Sequence, residues 1–509
     1  MFHYRQKNII KNKEKVRQNN IIFILISTII ICICNIGLIN NLVYAKLNNH
    51  VHNYNINNNN KEILLTVKHS NYKVVFTNKG AAIKTWAIKE RNGHWLELLN
   101  INSNNFMANF ENCFYKIIHS SSNKICFEYN SPLGWRITKT YYLSPHNNMH
   151  NLVCSLEKVN LFTQLPILEF NFNSFNLVNI NSTTADSTSK IFICNQVKPN
   201  NVSILKHSKV LVGSLYKWIA LSNRYFVYAF IPKMPSNFDQ IKILKHSSPL
   251  HYSVKLKSNN NTLNKCSYSV DFLLGPKHYK HLKSYNLNLE KVINFGLFSF
   301  LGKPFFLTLI LLHNLIGNYG WSIVLLTIIM QFLLLPLTLK SFKSLIVMKH
   351  LQPQIQNIQR QYANNTRMMQ MEILNAYRTQ KINPLGGCLP TLLQLPIFWA
   401  FFTILRNVYE LRNEGWIFWI RDLSSPDKLL HIGNFYINFL PILMGIIMFL
   451  QQKITATTTS DISSYKNMIY IMPILFTIMF WSFPSGLIIY WIINSIFSLL
   501  EQYYLLKSI

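Results

Sequence analysis

The chain has 509 residues and a net charge of +31, and 49% of its residues are hydrophobic while only 14% are charged. This length exceeds one ordinary domain, and so apolar a composition is typical of proteins that cross a membrane and unusual for soluble ones. The lysine and arginine residues are spread thinly among Asn, Ile, Phe and Tyr rather than gathered in one segment, so nucleic acid is not an expected partner.

Residues 1–45 combine a basic N-terminus with an apolar run that begins at residue 21. A basic flank before an apolar run occurs in cleavable signal peptides and in uncleaved signal-anchors. Because this run is long for a cleavable signal, we expect a signal-anchor helix whose N-terminus stays in the cytoplasm.

Residues 46–290 contain short segments in which apolar and polar residues alternate, such as YKVVFTN (72–78) and WRITKTYYL (135–143). Alternation with β-branched and aromatic residues favours strands that bury one face. We therefore predict a large extracytoplasmic β-sandwich domain. An odd number of cysteines argues against a complete disulfide framework and leaves one or two bridges open; they are Cys113, Cys126, Cys154, Cys194 and Cys266.

From residue 291 the apolar runs become long enough for helices that cross a bilayer. Such helices are predicted at about 318–339, 385–405, 437–452, 467–483 and 485–505. The segment 340–384 is basic, with Glu372 as its sole acidic residue. It is therefore assigned to the cytoplasm, where we expect a helical hairpin.

The apolar segment 291–317 is interpreted as an amphipathic helix that lies along the outer membrane interface. A span at this point would move the basic segment 340–384 to the outside, and Gly302-Lys303-Pro304 is expected to interrupt a helix. The prediction is thus a signal-anchor plus five helices within 318–509, with both termini in the cytoplasm.

Segments of the second half resemble, in order, the YidC-type membrane protein insertases in their Gram-negative form. They are LQPQIQ (351–356), NPLGGCLPTLLQLPIFWAFF (383–402), ELRNEGWIFWIRDLS (410–424), LPILMGIIMFLQQK (440–453) and FPSGLIIYW (483–491). The resemblance implies a multi-pass protein of the bacterial inner membrane whose β domain is periplasmic. It also implies insertion and folding of nascent inner-membrane proteins, alone or with the Sec translocon, without a cofactor or covalent intermediate.

The family works through a hydrophilic groove that is open to the cytoplasm and to lipid. Candidate groove residues are the polar or amphipathic side chains of the predicted spans: Thr327, Gln331, Gln394, Tyr490, Trp491, Asn494 and Ser498. They either line the groove or hydrogen-bond between helices, and the resemblance favours lining. The family usually has arginine at the position of Gln331, so this chain keeps hydrogen bonding there without the charge. Gln451 and Gln452 are assigned to the cytoplasmic edge.

A methionine cluster on the second arm of the hairpin offers a soft apolar surface. Its residues, Met368, Met369 and Met371, either pack the hairpin against itself or contact nascent spans.

Other function classes lack their residues. The predicted spans contain no Asp or Glu before Glu501, which disfavours an ion-coupled transporter, and no hydrolase, nucleotide or zinc motif indicates an enzyme. Two alternatives stay open: an accessory of the Sec translocon without independent activity, and sugar binding by the β domain, because family members resemble sugar-modifying folds there.

Overall fold

The computed structural model describes residues 61–508 apart from 100–109, 111, 161–163, 174–189, 200, 206, 213–214, 248–249, 259–263, 380–388, 433–434 and 459–462. The predicted signal-anchor, residues 1–45, lies outside the described residues. The chain divides into a β unit, Asn48–Gly302 with Phe398–Glu414, and a helical unit that contains Lys303–Ile397 and Gly415–Ile509.

Alternating sequence segments form strands throughout the β unit, and the predicted β-rich domain is confirmed. Among the described residues the strands are β1 (Leu64–Lys68), β2 (Tyr72–Thr77), β3 (Ala82–Lys89), β4 (Trp95–Leu99), β5 (Lys116–Ser120), β6 (Lys124–Asn130), β7 (Trp135–Tyr142), β8 (Met149–Lys158), β9 (Glu169–Asn173), β10 (Lys190–Asn195), β11 (Val202–Leu205), β12 (Lys209–Val212), β13 (Tyr216–Ser222), β14 (Phe226–Pro232), β15 (Phe238–Ser247), β16 (Leu250–Ser258) and β17 (Lys265–Pro276). They form antiparallel sheets with the orders β1-β2-β3-β4, β11-β10-β13-β14-β17-β8-β7-β6-β5 and β12-β15-β16-β9.

Both four-stranded sheets pack on the same face of the nine-stranded sheet. Tyr268 and Phe272 of β17 are four residues apart and therefore point to one face. The ring centroid of Tyr268 lies 6.0 Å from that of Phe238 in β15, and that of Phe272 lies 6.1 Å from that of Trp86 in β3. The sandwich thus has one continuous layer and one divided layer around a shared core. The five cysteines predicted for this domain carry free thiols.

The segment Phe398–Glu414 belongs to the β unit, which its apolar start did not indicate. The buried carboxylate of Glu410 accepts a hydrogen bond from the backbone N–H of Tyr279 at 2.8 Å. Arg412 donates to Glu90 at 2.8 Å, and Arg91 donates to the carbonyl of Glu410 at 2.8 Å. These contacts therefore fix the loop against Tyr279 and against the turn that follows β3.

The remaining elements are mostly helices. A short helix of the β unit, α1 (Tyr279–Ser284), is followed by α2 (Ser299–Ile316), α3 (Tyr319–Gln361), α4 (Thr366–Thr379), α5 (Leu389–Asn407), the hairpin β18 (Leu430–Ile432) and β19 (Phe435–Ile437), α6 (Phe439–Thr458), α7 (Ser463–Met479) and α8 (Ser485–Ser508). Each of the five ranges predicted as apolar helices overlaps one of these helices, and their crossing of a membrane remains a prediction.

Three prolines lie inside two of the helices, and an interruption was expected at one of them. The helix α3 runs through Pro336 and Pro353 for 43 residues, about 65 Å at 1.5 Å per residue, so the predicted span and the first hairpin arm are one helix. The helix α2 continues through Pro304, so the expected interruption there is wrong. A proline removes one backbone hydrogen bond, and both helices continue past this loss.

Two helices among the described residues are long and apolar enough to cross a membrane: Ser299–Ile316 and Tyr319–Phe342. Shorter apolar helices occupy Phe439–Ile454 and Tyr470–Met479. By its length and composition, α2 is compatible with a membrane span and also with an interfacial position. A span formed by α2 would move the basic segment 340–384 to the outside, whereas basic segments favour the cytoplasm. We therefore still predict that α2 lies along the interface.

A buried histidine makes the stability of the β unit dependent on pH. His150 packs against the rings of Tyr72, Trp86 and Phe272, and its Nδ1 accepts the N–H of Ser144 at 3.1 Å. Burial lowers the pKa of His150 from 6.5 to about 3. Between these values the unfolded chain binds the proton and the folded chain does not, so stability falls as pH falls from about 6.5 towards 3.

We therefore expect His150→Gln to flatten the loss of thermal stability between pH 6.5 and pH 4, because the variant has no imidazole to protonate. The measurement is the unfolding midpoint of the full chain in detergent, followed by near-ultraviolet circular dichroism. The exposed His94 provides the control, since His94→Gln should leave the slope unchanged. Equal slopes in all three proteins would contradict the assignment.

Candidate functional site

One face of α8 carries a line of polar side chains within an otherwise apolar helix. Ser498 follows Asn494 by four residues, and Glu501 and Gln502 follow Ser498 by three and four, which places them on one side of a helix. We call these four residues the polar row.

Three predicted groove residues meet at the start of the polar row. The side-chain oxygen of Asn494 accepts a hydrogen bond from the amide nitrogen of Gln331 in α3 and another, at 2.6 Å, from that of Gln394 in α5. An amide oxygen has two lone pairs, so this atom is fully engaged. Gln331 is only 5% exposed. The amide cluster, Gln331, Gln394 and Asn494, therefore joins three helices through neutral hydrogen bonds.

A fourth helix reaches the polar row one turn further along. Gln451 of α6 donates to the hydroxyl oxygen of Ser498 at 3.0 Å, and Gln502 approaches the same oxygen at 3.5 Å. The sequence placed Gln451 at the membrane edge rather than in the groove, so this residue was missed. The sequence does show an amide side chain at the end of an apolar run. It does not show which face of the helix that side chain occupies.

The other predicted residues are engaged elsewhere. Thr327 is fully buried and donates its hydroxyl proton to the carbonyl of Ile323, within its own helix, at 2.7 Å. The ring of Trp491 lies 5.8 Å from that of Phe476 and 5.3 Å from that of Phe480. Tyr490 is buried. Thr327 and Trp491 thus support helix packing beside the amide cluster.

The methionine cluster lies on α4, the second hairpin arm. Met368 and Met371 are 38% and 50% exposed, and Met369 is half-buried. Two of the three side chains therefore remain accessible to another chain.

The chemistry available at the site is exchange of neutral hydrogen bonds. Interhelical hydrogen bonds in membranes contribute about 0.6 kcal/mol each, so a polar segment can compete for them. Within the residues that the structure describes, no group of three His, Cys, Asp or Glu side chains is arranged to hold a metal ion.

Comparisons with known proteins agree with this organisation. A family model described as YidC periplasmic domain matches residues 182–308, and one described as 60Kd inner membrane protein matches residues 311–509. The membrane protein insertase YidC of Endomicrobium trichonymphae is 49% identical over 450 residues, which cover 88% of this chain and 86% of the relative. That of Syntrophus aciditrophicus strain SB is 32% identical over 481 residues, with 88% and 86% covered.

Among solved structures, the crystal structure of an active YidC insertase with the first transmembrane domain resolved is similar with a TM-score of 0.41. The sequences are 19% identical, and the match covers 88% of this chain and 93% of that chain.

The amide cluster predicts a large effect of one substitution on stability. Asn494→Leu removes the acceptor of two amides, and each buried donor left without a partner costs about 1–3 kcal/mol. We expect a clearly lower thermal midpoint of the full chain in detergent. Ile496→Leu, on the same helix, is the control and should leave the midpoint within error. An Asn494→Leu protein as stable as that control would show that the amides find other partners.

Proposed function

This chain belongs to the YidC family of membrane protein insertases, and we propose that it moves the polar segments of its substrates along the amide cluster and the polar row. The observation that carries this proposal is the convergence of Gln331, Gln394 and Asn494 on one oxygen atom between apolar helices. Neutral amides at this point give a polar segment hydrogen-bond partners inside the membrane.

The physical problem is the cost of polar groups in a hydrocarbon core about 30 Å thick. A charged side chain at the centre costs roughly 2.5–3.5 kcal/mol on insertion scales. Partners along the way lower this cost, but a strong site would trap the substrate. Hydrogen bonds of about 0.6 kcal/mol each are weak enough to be exchanged and released.

Hydrogen bonding between helices and lining of the groove then describe two states of the same residues. Without substrate, Gln331 and Gln394 bind Asn494 and hold the helices together. When a polar tail arrives, its backbone and side chains replace these bonds, and the three amides face the tail. Since Gln331 carries no charge, the amide cluster itself does not select acidic over basic tails.

The orientation of the chain follows from its basic segments. We place the hairpin of α3 and α4, both termini and the C-terminal end of α8 in the cytoplasm, and the β unit in the periplasm. The basic segment 340–384 supports this. The exposed Met368 and Met371 support a first contact of nascent spans with the hairpin before they enter the path, with Met369 beside them.

The proposed partners are nascent inner-membrane proteins, the bilayer and the Sec translocon. An accessory of the translocon would need the same helices but would not act alone. We propose independent insertion of small substrates, because the amide cluster and polar row are made by this chain itself.

Reconstitution of the purified protein tests both the activity and the path. Proteoliposomes without Sec components should insert a single-span substrate with a polar tail, scored by protease protection. Gln331→Leu combined with Gln394→Leu should reduce insertion of the polar tail by roughly eightfold, since two exchangeable bonds of about 0.6 kcal/mol are lost, and affect an apolar tail much less.

The control for that experiment is Ile474→Leu on the exposed side of α7, at equal amounts of incorporated protein. No insertion by the unmodified protein alone would favour the accessory role. Equal losses for polar and apolar tails would show that the two glutamines act only in helix packing.

Labelling in intact cells tests the orientation. A membrane-impermeant thiol reagent added outside the inner membrane should label Asn92→Cys in the β unit and not Asn364→Cys at the hairpin turn, with the unmodified chain as background. Both positions are exposed. Labelling at position 364 from outside contradicts the orientation.

A further inference from the structure

The polar row ends in a carboxylate that neither the amide cluster nor its exchange of hydrogen bonds uses. Glu501 is the only acidic residue in the sequences of α3, α5, α6, α7 and α8. It is 7% exposed, and Thr338 of α3 lies next to its carboxyl group. A single acidic group has therefore been placed inside the packing of helices that are otherwise free of them.

One oxygen of this carboxylate has no donor. Oε1 of Glu501 is buried, and none of the groups that the structure describes donates a hydrogen bond to it. The same holds for the buried side-chain oxygen of Gln452, which follows Gln451, the residue bound to Ser498. A buried acceptor without a donor costs about 1–3 kcal/mol, and more when it is charged. Such a cost indicates a ligand that brings donors and positive charge.

The position of Glu501 along α8 indicates the chemical class of this ligand. Glu501 lies seven residues beyond Asn494, about 10 Å along the helix axis, towards the end that we place in the cytoplasm. Segments that flank membrane spans on the cytoplasmic side are rich in lysine and arginine. An ammonium group has three donors and a guanidinium group has five, and both lack acceptors. They therefore match the buried oxygen of Glu501 that has no donor among the described groups.

We propose that Glu501 is a specificity residue for insertion: its carboxylate binds the lysine or arginine that flanks a substrate span on the cytoplasmic side. This contact holds the basic flank at the cytoplasmic end of the path while the opposite, polar tail crosses along the amide cluster. The inference rests on the proposed function and adds selection by charge, which the neutral Gln331, Gln394 and Asn494 do not provide.

The test uses the purified full chain in phosphatidylcholine vesicles, whose lack of net lipid charge removes attraction of basic segments by the bilayer. Two single-span substrates differ only in their cytoplasmic flank, which carries lysines in one and glutamines in the other. The unmodified protein should insert the lysine substrate about fivefold better, the upper range for a partly screened ion pair. Glu501→Gln, which preserves size and hydrogen bonding, should bring this ratio to about one.

Two further variants sharpen the result. Glu501→Lys should reverse the preference and favour a third substrate with glutamates in the flank. Glu372→Gln, an acidic residue of the hairpin outside the polar row, should leave the ratio unchanged. An unchanged ratio in Glu501→Gln, or loss of both substrates by a stably folded Glu501→Gln protein, overturns the proposal and assigns Glu501 to helix packing.

A second measurement separates this inference from independent insertion. In native membranes that contain the Sec translocon, a substrate with a photoreactive residue beside its flank lysine should crosslink to the insertase. Glu501→Gln should reduce this adduct about fivefold, and the glutamine-flank substrate should show no such difference. If the unmodified protein inserts nothing in vesicles but the crosslink depends on Glu501, the proposed independent activity fails while the charge contact stands. Equal adducts from both proteins overturn the contact.

Discussion

The acceptance of two hydrogen bonds by one oxygen of Asn494 organises the helical unit. A side-chain amide in a hydrocarbon environment must find its partners within the protein, and Gln331 and Gln394 find the same partner from two different helices. Ser498, one turn further on, receives Gln451 from a third helix. The helices α3, α5 and α6 are thus held against α8 by polar contacts. These contacts matter because apolar side chains gain little free energy when they leave lipid for a helix interface.

In the function that we propose, the same contacts let the helix bundle be stable and still open for a substrate. An ionic contact at this point would be expensive to form and to break, because a buried charge that loses its partner costs several kcal/mol. Amide hydrogen bonds avoid this, since the incoming polar chain offers equivalent donors and acceptors. In the function that we propose, the polar contacts that hold the bundle are also the ones that a substrate replaces.

In the β unit, by contrast, buried charged side chains form contacts that are not exchanged. Glu410 is buried but receives the N–H of Tyr279, and Arg412 is paired with Glu90. Burial lowers the pKa of Lys277 to about 7, and its amino group binds the carbonyl of Asn223 at 2.9 Å. These are permanent contacts of a folded domain, where strong pairing fixes a loop and nothing has to be released. In the helical unit the buried carboxylate of Asp427 is likewise held, by the backbone N–H groups of Phe439 and Leu440. Glu501, at the end of the polar row, keeps one oxygen without a donor among the described groups.

The sequence by itself determined the element types, because alternation and long apolar runs reflect local periodicity that each segment carries on its own. It also placed Asn494 and Ser498 on one helix face, since their spacing follows the helical repeat. Only the tertiary structure decided which helices meet at that face. Gln331 and Gln394 converge on Asn494 while Thr327, one turn from Gln331, turns back on its own helix. The reason is physical: spacing along a helix sets which residues share a face, but the partner across that face depends on how distant parts of the chain pack.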